Sequence, residues 1–185
     1  QLKEYPYQAL GFAKVDHLRE ARRGFPEIIY GQGKTPDQVV RIAAEIVKRK
    51  HNLLATRVEP AVFARIKRRV PGCRYNRLGK IAYLKQKPPA PGKGTIVVMT
   101  AGTSDIPVAE EAAVTCEMMG NAVERVYDVG VAGLHRLFGE MPKVRKARLI
   151  IAVAGMEGAL PSVLAGLVGV PIIAVPTSVG YGANF

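Results

Sequence analysis

The stretch Thr95-Ile96-Val97-Val98-Met99-Thr100-Ala101-Gly102-Thr103-Ser104-Asp105-Ile106-Pro107-Val108-Ala109-Glu110-Glu111 decides the fold. Its opening run, 95–100, is apolar without polar alternation and of strand length, as expected of a strand covered on both faces. Helix-start signals follow at once. Ser104 or Asp105 can serve as N-cap, Pro107 sits near the first position, and Glu110 and Glu111 fall in the first turn, where the dipole favours anions. A helix over 106–119 is predicted, ended by Gly120.

The same alternation continues outward from that unit. Strands are predicted at 122–129, 149–153 and 172–175, with helices at 134–141 and 159–168 between them. Four strands separated by helices imply right-handed crossovers and a doubly wound parallel sheet, an α/β fold of flavodoxin-like type. The span 149–175 holds one ionisable residue, Glu157, and is long enough for a membrane helix. Gly155, Gly158, Pro161, Gly166, Gly169 and Pro171 cut it into pieces too short to cross hydrocarbon, so it reads as buried strand, helix and strand.

The N-terminal half has a weaker pattern. A strand is expected at 27–30, and Thr35 caps a helix at 36–50 with Val39, Ile42, Ala43 and Ile46 on one face. A strand at 53–56, a helix at 59–70 and a hairpin of 74–75 with 80–84 through 76–79 complete a small basic α/β or α+β domain. Of the 185 residues, 27 are Lys or Arg and 15 Asp or Glu, and 48% are apolar, so the chain can bury a core and is not a disordered coil. Residues 1–93 hold 21 basic and 7 acidic residues, a net +14, whereas 94–185 hold 6 and 8, a net −2. Pro88, Pro89, Pro91, Gly92 and Gly94 lie where the balance flips, which places a linker at 88–94 between domains at 1–87 and 95–185. There is no solenoid-period repeat and no leader-like apolar segment. Two cysteines exclude a disulfide scaffold and fit a reducing cytoplasm. A first residue of Gln1 and a glycine-rich run up to Phe185 read as cut ends.

Ligands of doubly wound sheets bind beyond the carboxyl ends of the strands. The four segments there are Ala101 to Asp105, Gly130 to Arg136, Ala154 to Gly158 and Thr177 to Gly182. Each is glycine-rich, which lets backbone N–H groups approach an anion, and most run into a helix start. A phosphate or carboxylate site is expected, although tight strand-to-helix turns need glycine anyway. His135 is either a helix-start residue satisfied by backbone or a general acid/base in the cleft. Glu157 either accepts N–H bonds at a helix start or is an acid whose protonation matters to chemistry. Asp128 ends a strand and can anchor the following turn.

Gly31-Gln32-Gly33-Lys34-Thr35 lies between a strand and a helix but fails the phosphate-loop spacing, because Ile28 stands where the first glycine belongs. Lys34 alone is retained as a possible phosphate contact. Cys73 and Cys116 are far apart and no His pair has ligand spacing, so no transition-metal site is readable. Cys116 reads as core. Arg69 and Arg74 would favour a Cys73 thiolate if it were exposed, against a plain structural role.

Ala101 to Asp105 with Pro107 to Ala112, Asp128 to Leu137, Ala154 to Val163, and Ala174 to Ala183 together resemble the LarB family of nickel-pincer-nucleotide biosynthesis enzymes. The basic half is similar to that family's N-terminal region around Asp16, Arg19, Arg22, Gly24, Pro26-Glu27 and Gly33-Lys34-Thr35. The C-terminal half is similar in turn to the PurE family of aminoimidazole ribonucleotide carboxylases and mutases. The resemblance implies a carboxylase and hydrolase, formally a transferase. It would carboxylate the pyridinium ring of nicotinic acid adenine dinucleotide with CO2 or bicarbonate and hydrolyse its phosphoanhydride to release AMP. An electron-poor ring cannot attack CO2, so the family is understood to add a cysteine thiolate first. That cysteine is expected beyond Phe185, neither Cys73 nor Cys116 matches its context, and the 185 residues are expected to bind ligand poorly and not to turn over.

By resemblance, Gly102, Thr103, Ser104 and Asp105 form the loop contacting ribose and phosphate, Gly158, Ala159 and Leu160 a helix-start loop, and Arg136 the phosphate partner beside His135. Ser178, Tyr181, Gly182 and Lys34 join the substrate-binding set, with Glu157, His135 and Asp105 as catalytic candidates. Mg2+ is the implied cofactor, its ligands unassigned. A cytoplasmic homo-oligomer, an octamer as in PurE relatives, and hand-over to downstream cofactor-biosynthesis enzymes are also implied. Two rivals remain. One is an aminoimidazole ribonucleotide mutase. The other is a basic nucleic-acid-binding module, weakened by the few aromatics among clusters such as Lys48-Arg49-Lys50.

Overall fold

The computed structural model describes residues 7–178. The chain divides between Pro89 and Ala90 into two compact units.

The first unit opens with an antiparallel hairpin of β1 (Tyr7–Ala9) and β2 (Lys14–Asp16), then α1 (Arg19–Arg23), which Gly24 ends at φ +80°. There follow β3 (Ile29–Tyr30), α2 (Pro36–Lys48), β4 (Leu53–Thr56), α3 (Pro60–Arg69), β5 (Arg74–Asn76) and β6 (Ile81–Leu84). The sheet order is β3-β4-β6-β5, parallel between β3 and β4 and antiparallel elsewhere, so the unit is of the α+β kind. Thr35 starts α2 with a reciprocal box: its hydroxyl accepts from the Gln38 N–H and the Gln38 side chain accepts from the Thr35 N–H. Val39, Ile42, Ala43 and Ile46 then pack on Leu53, Ala55, Ile66 and Ala82. The hairpin and α1 have no counterpart in the sequence reading. The strand expected at 27–30 is confined to Ile29–Tyr30, because the Glu27 carboxylate instead accepts the Asp16 N–H at 2.7 Å.

The second unit contains β7 (Thr95–Thr100), α4 (Ile106–Met118), β8 (Ala122–Val126), α5 (Leu134–Val144), β9 (Leu149–Ala154), α6 (Ala159–Ala165) and β10 (Ile172–Pro176). Short 3-10 turns at Thr103–Asp105 and Val131–Gly133 lead into α4 and α5. All its strands are parallel, in the order β10-β9-β7-β8. One sheet face, with Val97, Met99, Ile150 and Ala152, packs on Leu137, Met141, Leu160 and Leu164 of α5 and α6. The other, with Val98, Ile151 and Val153, packs on Ala109 and Ala113 of α4. Burial on both faces explains the unbroken apolar run of β7.

Three expectations need correction here. β8 stops at Val126 rather than at residue 129, because Asp128 turns the chain at φ +59° and its N–H, with that of Val129, bonds to Thr100. Glu110 and Glu111 lie beyond the first turn of α4, which starts at Ile106, and Glu110 is buried. It accepts from Arg125 Nε at 2.8 Å and from the Tyr127 hydroxyl at 2.7 Å. A hydrogen bond to Glu117, ahead of those to Glu110, raises the basicity of Arg125, and burial chiefly raises the Tyr127 phenol. Finally, the apolar span 149–175 is strand, helix and strand as expected (β9, α6 and β10), but it is not all buried, because β10 is an edge strand with Ile173 49% exposed. Among the described residues no helix is long and apolar enough to cross a membrane.

Candidate active site

The order of the second sheet fixes where a ligand can enter. From β7 the chain crosses to β8 on one side and then returns to β9 on the other, so the loops leaving β7 and β9 diverge. Such a reversal opens a crevice at the carboxyl edge. A cleft of about 350 Å³ lies there, lined from the β7 loop by Gly102, Ser104 and Asp105, and from the β8 loop by Asp128, Gly130 and Arg136. Met156, Glu157, Ala159 and Leu160 of the β9 loop close the third side.

Close backbone approach builds the floor. Gly130 N–H donates to Ala101 O at 2.8 Å, and a Cβ at Gly130 would stand 2.6 Å from that oxygen. Only glycine fits. Asp105, 4% exposed, is not a side-chain cap of α4. One carboxylate oxygen accepts the Gly102 N–H at 2.9 Å and the other accepts the Thr177 hydroxyl at 2.6 Å. Its carboxylate therefore ties the loop after β10 to the loop after β7, and in this arrangement it positions rather than reacts. Ser104, also offered as a cap, is exposed and lines the cleft without a side-chain cap bond.

Arg136 supplies positive charge. Its Nη1 donates to Asp128 Oδ2 at 2.6 Å, and the guanidinium lies over Gly133, where a Cβ would meet Nε at 2.8 Å. The pair is half exposed, so the guanidinium keeps donors free for an anion. Asp128 and Met156 both hold left-handed backbone without being glycine, at φ +59° and +52°. Such conformations cluster where loops are shaped for ligands.

His135 does not join the cleft. It is exposed on the first turn of α5, and the turn of about 100° per residue that aims Arg136 inward carries its neighbour outward. Glu157 is an exposed rim residue with no hydrogen-bond partner among the described residues, so of its two alternatives the N–H bonds at a helix start are not made. Leu160 is buried in the wall beside Ala159, whereas Thr103, Gly158 and Ser178 flank the cleft without lining it. Lys34 belongs to the first unit, where its ammonium donates to Tyr30 O at 2.8 Å. Tyr181 and Gly182 lie outside the described residues. Asp128 as partner of Arg136 and Thr177 as partner of Asp105 were missed as site residues. A lone Thr after a strand carries no sequence signal, but Asp128 eight residues before an Arg at a helix start could have been weighed.

Cys73 is fully buried in the first unit, and burial pushes its thiol up to about 11. Burial also raises the Cys116 thiol, which α4 carries half-buried against the sheet face of Val98, Ile151 and Val153. Neither lines the cleft, and no cluster of three or more His, Cys, Asp or Glu among the described residues could hold a metal ion.

Comparison with known proteins bears on both units. Residues 7–87 match the model of the LarB/PurE-like N-terminal domain, and residues 95–183 match that of AIR carboxylase. An uncharacterised protein of Methanocaldococcus jannaschii is 42% identical over 177 residues, covering 91% of this chain and 69% of that protein. The N5-carboxyaminoimidazole ribonucleotide mutase of the same organism is 39% identical over 84 residues, 44% of this chain and 51% of the mutase.

Proposed function

The chain belongs to the LarB family, an AIR carboxylase domain behind a LarB/PurE-like N-terminal domain, and from that premise we propose that its cleft serves nicotinic acid adenine dinucleotide. The domains are those of carboxylase- and mutase-type enzymes. The finer reading is carboxylation of the pyridinium ring with hydrolysis of the phosphoanhydride and release of AMP, a step in nickel-pincer nucleotide synthesis. The observation that carries it is the switch-point cleft with Arg136 fixed by Asp128 at its edge. An arginine with its planar fork held in place suits a phosphate, and the small walls of Gly102, Gly130 and Ala159 leave room for ribose and ring beside it.

The pieces divide the work as follows. Arg136 holds phosphate, Asp128 keeps the guanidinium oriented, and Asp105 with Thr177 keeps the two loops in register. Glu157 is the free carboxylate at the mouth. Magnesium usually binds through one or two carboxylates plus substrate phosphates, and a donor set with Glu157 as its protein contact fits an ion brought in on the phosphoanhydride. Such an ion would neutralise charge on the bond to be hydrolysed. A thiolate added to the ring makes the adjacent carbon nucleophilic toward CO2, and loss of the ring proton and the thiolate then restores the pyridinium. Cys73, buried, and Cys116, half-buried, both have thiols raised by burial and lie away from the cleft, so neither provides that thiolate. The 185 residues are thus expected not to turn the dinucleotide over.

Product mass spectrometry on the complete gene product with nicotinic acid adenine dinucleotide, bicarbonate and magnesium tests the reading. AMP together with a mononucleotide heavier by one carboxylate is the expected result. An untouched dinucleotide, with conversion of N5-carboxyaminoimidazole ribonucleotide instead, would overturn it in favour of mutase chemistry, which the likeness to the mutase motivates.

A further inference from the structure

The first unit carries a second concavity that the carboxylase reading leaves unused. It is a groove of about 480 Å³ between α2, the end of α3 and the turn after β1. Leu10, Val40 and Val47 give it an apolar floor, and Arg41, Lys48 and Arg69 stand at its rim. Arg41 is held in place on two sides. Its Nη2 donates to Leu10 O at 3.2 Å, and its guanidinium lies 4.8 Å from the centroid of the Phe12 ring, itself 39% exposed. Lys48 and Arg69 are exposed and make no hydrogen bond or ion pair with another described residue. Glu45, the acid in the lining, is flanked by Arg49 and His17, each 3.5 Å from its carboxylate.

We propose that this groove binds a purine nucleoside monophosphate, the base stacked on the Phe12–Arg41 pair and the phosphate held by Lys48 and Arg69. Three properties select that ligand. A fixed guanidinium backed by an aromatic ring is a platform for a planar base, and the apolar floor covers its edge. Two unpaired cations within reach of one pocket match a phosphate dianion. The volume suits one nucleotide rather than a wrapped strand, and the exposed Phe12 ring beside the groove offers one base a place. The site lies wholly in the first unit and does not rest on the carboxylation chemistry.

The test is per-residue nuclear magnetic resonance on the isotope-labelled full chain titrated with AMP, which separates this groove from the cleft of the second unit. Expected are saturable shifts at the amides of Val40, Arg41, Ala44 and Val47. Lys48→Glu and Arg69→Glu should each weaken binding about tenfold or more. Phe12→Leu should make AMP and ribose 5-phosphate bind alike. Shifts confined to Gly102, Gly130 and their neighbours would overturn the proposal. So would shifts produced only by an oligoribonucleotide and abolished by modest salt, since that response belongs to a diffuse basic surface.

Discussion

At Arg136 the guanidinium, a carboxylate and a glycine constrain one another. Asp128 pins Nη1, and the bare Cα of Gly133 leaves the plane of the fork a seat. Removing the charge with Arg136→Ala should weaken dinucleotide binding by about ten- to a hundredfold, the equivalent of about 1.5–3 kcal/mol for bonds to a charged group. Asp128→Asn keeps the shape and should cost less, because the arginine remains but is no longer held. Calorimetric titration of both variants separates binding from positioning. His17 makes a different test. Burial chiefly, with Arg49 next, depresses its pKa from the ordinary 6.5, while Glu45 and Glu27 oppose and the stacked His51 ring adds a small push down. The unfolded chain therefore binds the proton more readily than the folded one. Stability from this residue is intact above 6.5 and falls as pH drops below it toward the folded pKa. Melting followed between neutral and mildly acidic pH should show that decline, and His17→Gln should flatten it.

At the scale of elements, α2 was the easiest to read, and its cap accounts for that. Thr35, Pro36 and Gln38 are a local signal that needs no tertiary context, and Thr35→Ala should cost about 1 kcal/mol, visible as a lower unfolding midpoint of the first unit. The strands β7 and β9 were legible for a related reason, since burial on both faces leaves continuous apolar runs, and β10 carries a similar run although it is a partly exposed edge strand. What stayed hidden was whatever depends on partners distant in sequence. The hairpin of β1 and β2 has three-residue strands with Lys14 and Tyr7 on their exposed sides, so its pattern is too short to detect. Thr177 meets Asp105 across 72 residues, and no spacing rule reaches that far. His135 was overvalued for the opposite reason. Its type and its place beside Arg136 were read correctly, but the direction of a side chain at a helix start is settled only once the helix is seated.

For the molecule as a whole, the two units differ in charge, sheet type and core, and the segment 85–94 between them is largely exposed. Lys85 and Lys93 offer trypsin sites there, whereas Pro88 protects the bond after Lys87. Limited digestion should cut first in this segment and yield two fragments of near-equal mass, as judged by intact-mass spectrometry. Early cleavage inside α2 or α5 instead would show that the units are less independent than their separate cores indicate.

The strand order of the second unit also governs what happens while the chain is being made. β7 leaves the ribosome first yet ends up with a neighbour on each side, and its second neighbour, β9, is delivered only after β8 and α5. Until then a nascent half-sheet of β7 and β8 presents Val97, Val98 and Met99 along an open edge, with no charged residue within β7 to discourage pairing with another chain. The first unit, basic and already synthesised, opposes association of such intermediates by like-charge repulsion. The +14 of residues 1–93 is thus in place before the middle strand of the second sheet is exposed, and the sheet is then completed from that strand outward.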